Sequence, residues 1–136
     1  MVILVDTNII LDVLQKREPF YEDSKEILTK CASGDIKGYI ALHTVSNLFF
    51  ILRKQYSLEN RRKLLLGITA FLKVTGVTHD KVREALSRED FKDFEDCLQD
   101  ECADTISADY IVTRNISDYG KSKVVAIEPA EFLMKI

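Results

Sequence analysis

The stretch "VILVDTNIILDVL", Val2 to Leu14, decides the fold. Val2 to Val5 form an unbroken apolar run of strand length. The run stops on Asp6-Thr7-Asn8, and Ile9, Ile10, Val13 and Leu14 then recur at helical spacing. A continuous apolar strand is one buried on both faces, and a helix directly after it is the crossover that a parallel sheet requires. Asp6 or Thr7 is placed to cap the first helical turn, a contribution of about 1 kcal/mol. Capping alone explains an Asp here. The carboxyl end of a strand is also where open α/β sheets bind ligands, so a second reading of Asp6 stands beside the first.

The same alternation continues along the chain. Pro19, Glu22 and Asp23 suit the first turn of a second helix carrying Tyr21, Ile27, Leu28 and Cys31, which Gly34 stops. "GYIAL" (Gly38 to Leu42) is a short buried strand. Val45, Leu48, Phe49, Ile51, Leu52 and Tyr56 outline a third helix, and Ser57 caps a fourth bearing Leu64, Leu65, Ile68, Phe71 and Leu72. "KVTGVT" (Lys73 to Thr78) predicts a third strand. Asp80 and Asp93 are positioned to cap two more helices, the second over Phe94 to Ala103. "YIVT" (Tyr110 to Thr113) and "VVAI" (Val124 to Ile127) are strands, and Pro129 opens a closing helix. Five strands separated by helices predict a parallel sheet covered on both faces, within one domain over residues 1–136.

Bulk composition narrows the function. At 136 residues and 46% hydrophobic content, the chain supports one core. A net charge of −3 argues against a protein that coats nucleic acid electrostatically; Arg53, Lys54, Arg61, Arg62 and Lys63 read first as a solvated face and second as a local basic rim that guides a phosphate backbone. Cys31, Cys97 and Cys102 form no CxxC pair and are odd in number, which predicts reduced thiols and a cytoplasmic location. The first apolar run has four residues and no basic flank, so neither a signal peptide nor a membrane span is expected. His43 and His79 lack a second ligand at zinc spacing and read as surface or capping residues.

Two later segments supply carboxylates that can meet Asp6. In "DFEDCLQDECAD", Asp93, Asp96, Asp100 and Asp104 are spaced by three, four and four, giving an acidic stripe opposite Phe94, Cys97, Leu98 and Ala103. A solvated face is the ordinary reading. Like charges at this spacing repel by a few tenths of a kcal/mol per pair, which hints at a bound cation. In "YIVTRNISDY", Arg114, Asn115 and Asp118 follow a strand in a tight connection, as turn residues or as part of a site on the same edge as Asp6.

Taken together, "VDTNIILDVL", "REPFYEDS", "DFEDCLQ", "DYIVTRNISDY" and "EPAEFL" resemble the PIN domain family of small metal-dependent nucleases, which includes the VapC-type toxins of toxin-antitoxin pairs. The resemblance covers essentially the whole chain. It implies a three-layer α/β/α fold with a five-stranded parallel sheet of order 3-2-1-4-5 and an acidic pocket at the strand ends. By position it implies Asp6, Asp96 and Asp118 as catalytic and metal-holding residues. Thr7, Asn8, Thr113 and Asn115 match polar residues that brace the pocket, and Asp12 and Asp93 match acidic positions common in the most similar subgroup, Asp93 as a further metal ligand. Arg114 is the expected contact to substrate phosphate, with a salt bridge to Asp118 or a glutamate as its other reading.

The implied activity is hydrolysis of RNA with Mg²⁺ or Mn²⁺ by a homodimer that pairs with an antitoxin protein. One departure stands out. PIN nucleases usually place a Glu on the helix after the second strand, whereas "HTVSNLFFILRK" offers Asn47 and no carboxylate between His43 and Tyr56. An amide oxygen at Asn47 can face a metal or its water but brings no charge. The alternative is therefore a PIN module that binds RNA or a partner protein without cutting. A phosphotransferase of the haloacid dehalogenase type is disfavoured, because it needs a second carboxylate where Asn8 stands.

Overall fold

A computed structural model describes all of residues 1–136. Its sheet is built from β1 (Val2–Val5), β2 (Lys37–Ala41), β3 (Leu72–Thr75), β4 (Tyr110–Val112) and β5 (Ala126–Ile127). All four pairings are parallel and the order is β3-β2-β1-β4-β5, as the resemblance implied. The crossovers are α1 (Thr7–Leu14), α2 (Tyr21–Ser33), α3 (Leu42–Ile51), α4 (Leu58–Thr69), α5 (His79–Ser87) and α6 (Phe94–Thr105), with α7 (Pro129–Leu133) closing the chain.

Alternation along β1 sorts the core. Ile3 and Val5 join the larger cluster, with Ile9, Ile10, Ile27, Leu48, Leu65 and Phe132 from α1, α2, α3, α4 and α7. Leu4 points the other way, into a cluster of seven buried residues that includes Cys102 and Ala103 of α6, Ile111 and Tyr119. The smaller face is supplemented by charge. Asp100 and Glu101 of α6 have fully buried side chains. Asp100 accepts from Arg88 Nη1 at 2.8 Å and from the backbone N–H groups of Lys123 and Val124 at 2.9 and 3.1 Å. Glu101 meets Lys81, Arg88 and Lys123, and Lys81 also reaches Asp104 at 2.7 Å. The acidic stripe is thus not a solvated face over its second half. Six ion pairs from Lys81, Arg88 and Lys123 neutralise it.

Several boundaries differ from the sequence reading. Leu42 begins α3 instead of ending β2, because Ala41 is the extended residue before the helix. β3 starts one residue early, at the fully buried Leu72, and stops before Gly76. Pro19 lies in the turn ahead of α2 and is not its first residue. Thr78, not Asp80, caps α5 through Lys81 N–H, leaving Asp80 in the first turn. Only Ala126 and Ile127 of "VVAI" join the sheet, since Val124 turns into the smaller core and Val125 is exposed. Gly34 stops α2 in the left-handed conformation, and Ser57 and Asp93 cap α4 and α6 as expected. All three cysteines are buried and unpaired, and no helix is long and apolar enough to cross a membrane.

Two substitutions test this packing. A Cβ on Gly38 would lie 2.6 Å from both Cys31 Sγ and Leu72 Cδ2, so Gly38→Ala is expected to lower stability by about 1–3 kcal/mol in urea unfolding. Arg88→Met strips a partner from two buried carboxylates and is expected to cost about 3 kcal/mol or more by the same measurement.

Candidate active site at the carboxyl edge of the sheet

The order β3-β2-β1-β4-β5 reverses direction between β1 and β4, which opens a crevice beyond their carboxyl ends. Val5 pairs with Val112, so the next residues, Asp6 and Thr113, emerge side by side. The Asp6 N–H donates to Val112 O at 3.0 Å, and Thr113 Oγ1 donates to Asp6 Oδ2 at 2.8 Å. Asp6 Oδ1 accepts from Thr7 N–H at 2.7 Å, which is the helix cap, and from Gln99 Nε2 of α6 at 2.9 Å. Asn8 Nδ2 and the Tyr119 hydroxyl complete the shell more distantly, both at 3.4 Å from Oδ2. Capping and site duty coexist in one side chain. Asp6 is 8% exposed, held in a single orientation at the mouth of the crevice.

Asp96 reaches the same place from the first turn of α6. The Tyr119 hydroxyl lies 3.2 Å from Asp96 Oδ1 as well as 3.4 Å from Asp6 Oδ2, so one phenol ties the two carboxylates together. Its ring is fixed by an edge contact with Phe91, over which Arg88 stacks. Burial and the surrounding carboxylates raise the Tyr119 pKa, keeping the phenol protonated and able to donate. Asp96, Asp93 and Asp118 line an all-polar hollow of about 430 Å³ with Asp90, Ser117, Gly120, Lys92 and Lys121. Partial burial, then the charges of Asp93 and Asp6, push the Asp96 carboxyl up to about 6, and Asp118 adds to the effect.

Of the expected bracing residues, Thr7 bonds Thr44 Oγ1 at 3.0 Å and Thr113 accepts from Asn115 N–H at 3.1 Å, while Asn8 bridges Asp6 and Thr113. Asp12 and Arg114 go elsewhere. The fully buried Asp12 receives the Arg114 fork at 2.7 and 2.9 Å, and the guanidinium stacks on Phe20 at 4.0 Å. Arg114 lines a separate small hollow with Asp23 and Glu128, and its ion-pair partner is Asp12, not Asp118 or a glutamate. Asn47 does not reach Asp6; its Nδ2 donates to Glu95 Oε2 at 3.1 Å. His43 is half-buried between α3 and the acidic cluster, not a surface residue. Arg53 and Arg61 are spent on Phe50 and Phe49 and Lys63 on Glu59, which weakens the basic rim.

Gln99 and Tyr119 are the site residues that the sequence reading missed. Gln99 follows Asp96 by three on one helix face, a spacing that points to a shared environment. Tyr119 follows Asp118 directly but is buried where Asp118 is exposed, and no local pattern signals that inversion.

The donor set consists of carboxylate, amide and hydroxyl oxygens, which suits a hard divalent cation. No group of three or more His, Cys, Asp or Glu side chains is placed to hold a metal ion. Two adjacent carboxylates beside a polar hollow fit the mode in which Mg²⁺ keeps several waters and takes one or two protein carboxylates.

A parallel α/β/α domain with paired carboxylates at its topological switch defines the class. The PIN domain model matches residues 2–117, and the chain belongs to the PIN domain family. A comparison with curated proteins found no match. Among solved structures, the chain is similar to VapBC2 from Rickettsia felis bound to a promoter DNA fragment (TM-score 0.68, 18% identity, 94% of this chain and 98% of that one). It is also similar to VapBC-1 from nontypeable Haemophilus influenzae (0.69, 14%, 96% and 99%). A third is the Mycobacterium tuberculosis toxin VapC20, described as cleaving the sarcin-ricin loop (0.61, 16%, 80% and 86%).

The raised Asp96 pKa has a testable sign. A carboxyl whose folded pKa exceeds its unfolded value contributes stability below the unfolded value, near 3.8, and loses it as pH rises through about 6. Metal-free Asp96→Asn is therefore expected to melt above the wild type at pH 8, with the advantage shrinking towards pH 4.

Proposed function

We propose that this chain is a metal-dependent endoribonuclease of the VapC type, hydrolysing RNA phosphodiester bonds at the Asp6 and Asp96 pair. The observation that carries the reading is the Tyr119 hydroxyl shared by these two carboxylates at the mouth of the β1 and β4 crevice. Family membership and the likeness to VapC-type structures support it.

Asp6 and Asp96 would hold Mg²⁺ or Mn²⁺, with Asp118 and Asp93 at the rim of the hollow engaging its waters. The chemistry such an ion supplies is neutralisation of the scissile phosphate and a water acidic enough to yield hydroxide near neutral pH. Thr113, Thr7 N–H and Gln99 fix Asp6 in advance, so its orientation costs nothing further when substrate arrives. Tyr119 spaces the two carboxylates and keeps its own proton. Lys92 and Lys121, which line the hollow, are the basic residues assigned to the RNA backbone there, with Arg114 held against Asp12 outside the hollow.

The VapBC structures with which the fold aligns are toxin-antitoxin complexes, and we assign this chain an antitoxin protein as partner, with a homodimeric, cytoplasmic toxin as the working form. Purified protein is expected to cleave RNA in Mn²⁺ or Mg²⁺ and to stop in chelator, and Asp6→Asn should reduce the rate at least 100-fold with the circular dichroism spectrum unchanged. Equal cleavage by variant and wild type would sink the assignment. Stoichiometric RNA binding without cleavage would establish the non-cutting module.

A further inference from the structure

The hollow beside Asp96 has two walls, and neither belongs to the sheet. Asp90, Lys92 and Asp93 come from the connection between α5 and α6, and Ser117, Asp118, Gly120 and Lys121 from the connection between β4 and β5. No backbone hydrogen bond joins the two connections, so side chains set their mutual position. Arg88, just past the end of α5, reaches both with a side chain only 12% exposed. Its Nε and Nη2 donate to the Asp90 carboxylate at 3.2 and 3.3 Å on the first wall, and Nη2 also donates to the Lys121 carbonyl at 3.4 Å on the second. Nη1 donates to Asp100 Oδ2 at 2.8 Å and to Glu101 Oε2 at 3.3 Å, which anchors the group to α6. Every N–H of the guanidinium thereby has a partner. Its face lies 4.7 Å from the centre of the Phe91 ring, and Phe91 meets the Tyr119 ring edge-on with centroids 6.1 Å apart. Tyr119 is 3% exposed, with its hydroxyl 3.4 Å from Asp6 Oδ2 and 3.2 Å from Asp96 Oδ1. Those distances are at the outer limit for a hydroxyl donor, so a small shift of the ring decides whether either carboxylate is served. Charge balance alone does not call for this geometry, since Lys81 and Lys123 already meet Glu101 and a lysine would supply one more charge. Only a planar fork reaches Asp90, Lys121 and the Phe91 face at once.

We infer that Arg88 is a positioning residue of the candidate active site: its guanidinium locks the two walls of the hollow together and, through Phe91, holds the Tyr119 hydroxyl between Asp6 and Asp96. The catalytic consequence rests on the nuclease reading above, whereas the brace itself does not. The ion pairs of Arg88 are with Asp90, Asp100 and Glu101, so its effect on Asp6 and Asp96 passes through the two rings and the Lys121 backbone.

The test reads the hydroxyl and the reaction separately in the full chain. In metal-free protein, proton magnetic resonance is expected to show a slowly exchanging hydroxyl that Tyr119→Phe removes, which assigns it. Phe91→Leu leaves Asp100 and Glu101 paired, and Arg88→Lys keeps a cation beside them. Each is expected to speed exchange of that hydroxyl about 10-fold or more, with thermal melting as the folding control. In RNA cleavage with Mn²⁺, Phe91→Leu should lower kcat about 10-fold at unchanged KM. In the Tyr119→Phe background the same change should lower kcat no further, a coupling that general loosening of the fold does not produce. Wild-type exchange in both Phe91→Leu and Arg88→Lys would overturn the brace, as would an unprotected hydroxyl in the wild type or additive losses in kcat. A wild type that cuts no RNA while its hydroxyl exchange still depends on Phe91 would overturn the nuclease reading and leave the brace standing.

Discussion

The register between β1 and β4 is the constraint on which the site depends. Val5 opposite Val112 sets Asp6 and Thr113 next to one another at the point where the sheet changes direction. A slip of one residue would turn Leu4 into the larger core and carry Ile3 and Val5 to the other face, so the hydrophobic sorting of β1 enforces the pairing. The Thr113 hydroxyl then fixes Asp6 from the β4 side, and Gln99 fixes it from α6. The apolar core thereby determines where a carboxylate stands, and that carboxylate organises every polar contact around the crevice.

The layers were readable because burial on both faces of a parallel sheet leaves continuous apolar runs, and "VILV" and "YIV" have no other economical reading. Strand ends were less so. Leu42 is apolar and follows a strand, yet it is 63% exposed at the start of a helix, and hydrophobicity alone does not distinguish those states. At the site, Asp6, Thr113 and Asp96 could be picked out by their place at element ends. Arg114 and Asp12 could not, since they pair across 102 residues and no local pattern encodes that distance. Gln99 and Tyr119 are neutral, so a search for converging charge passed over both, although they supply the bonds that hold the charges in place.

Glu95 and Asn47 illustrate a related limit. Asn47, on the helix after the second strand, brings no charge of its own, and its amide donates to Glu95, 48 positions away on α6. The two residues are separate in sequence and adjacent in space.

α6 shows how one helix carries both a site and a structural core. Its amino-terminal turn holds Glu95 and Asp96 behind the Asp93 cap, where the helix dipole favours negative charge and reduces the cost of crowding acids. Further along, the dipole no longer helps, and Asp100, Glu101 and Asp104 are met by Arg88, Lys81 and Lys123. Burial without those cations would be prohibitive. The basic residues are spent at that end, so at the first turn partial burial, and after it the unneutralised charges of Asp93 and Asp6, raise the Asp96 pKa. The charge along α6 is therefore neutralised by lysines and an arginine where it is buried in the smaller core and left without a cation where it faces the crevice, so one helix stabilises the fold at one end and sets up the electronegative edge at the other.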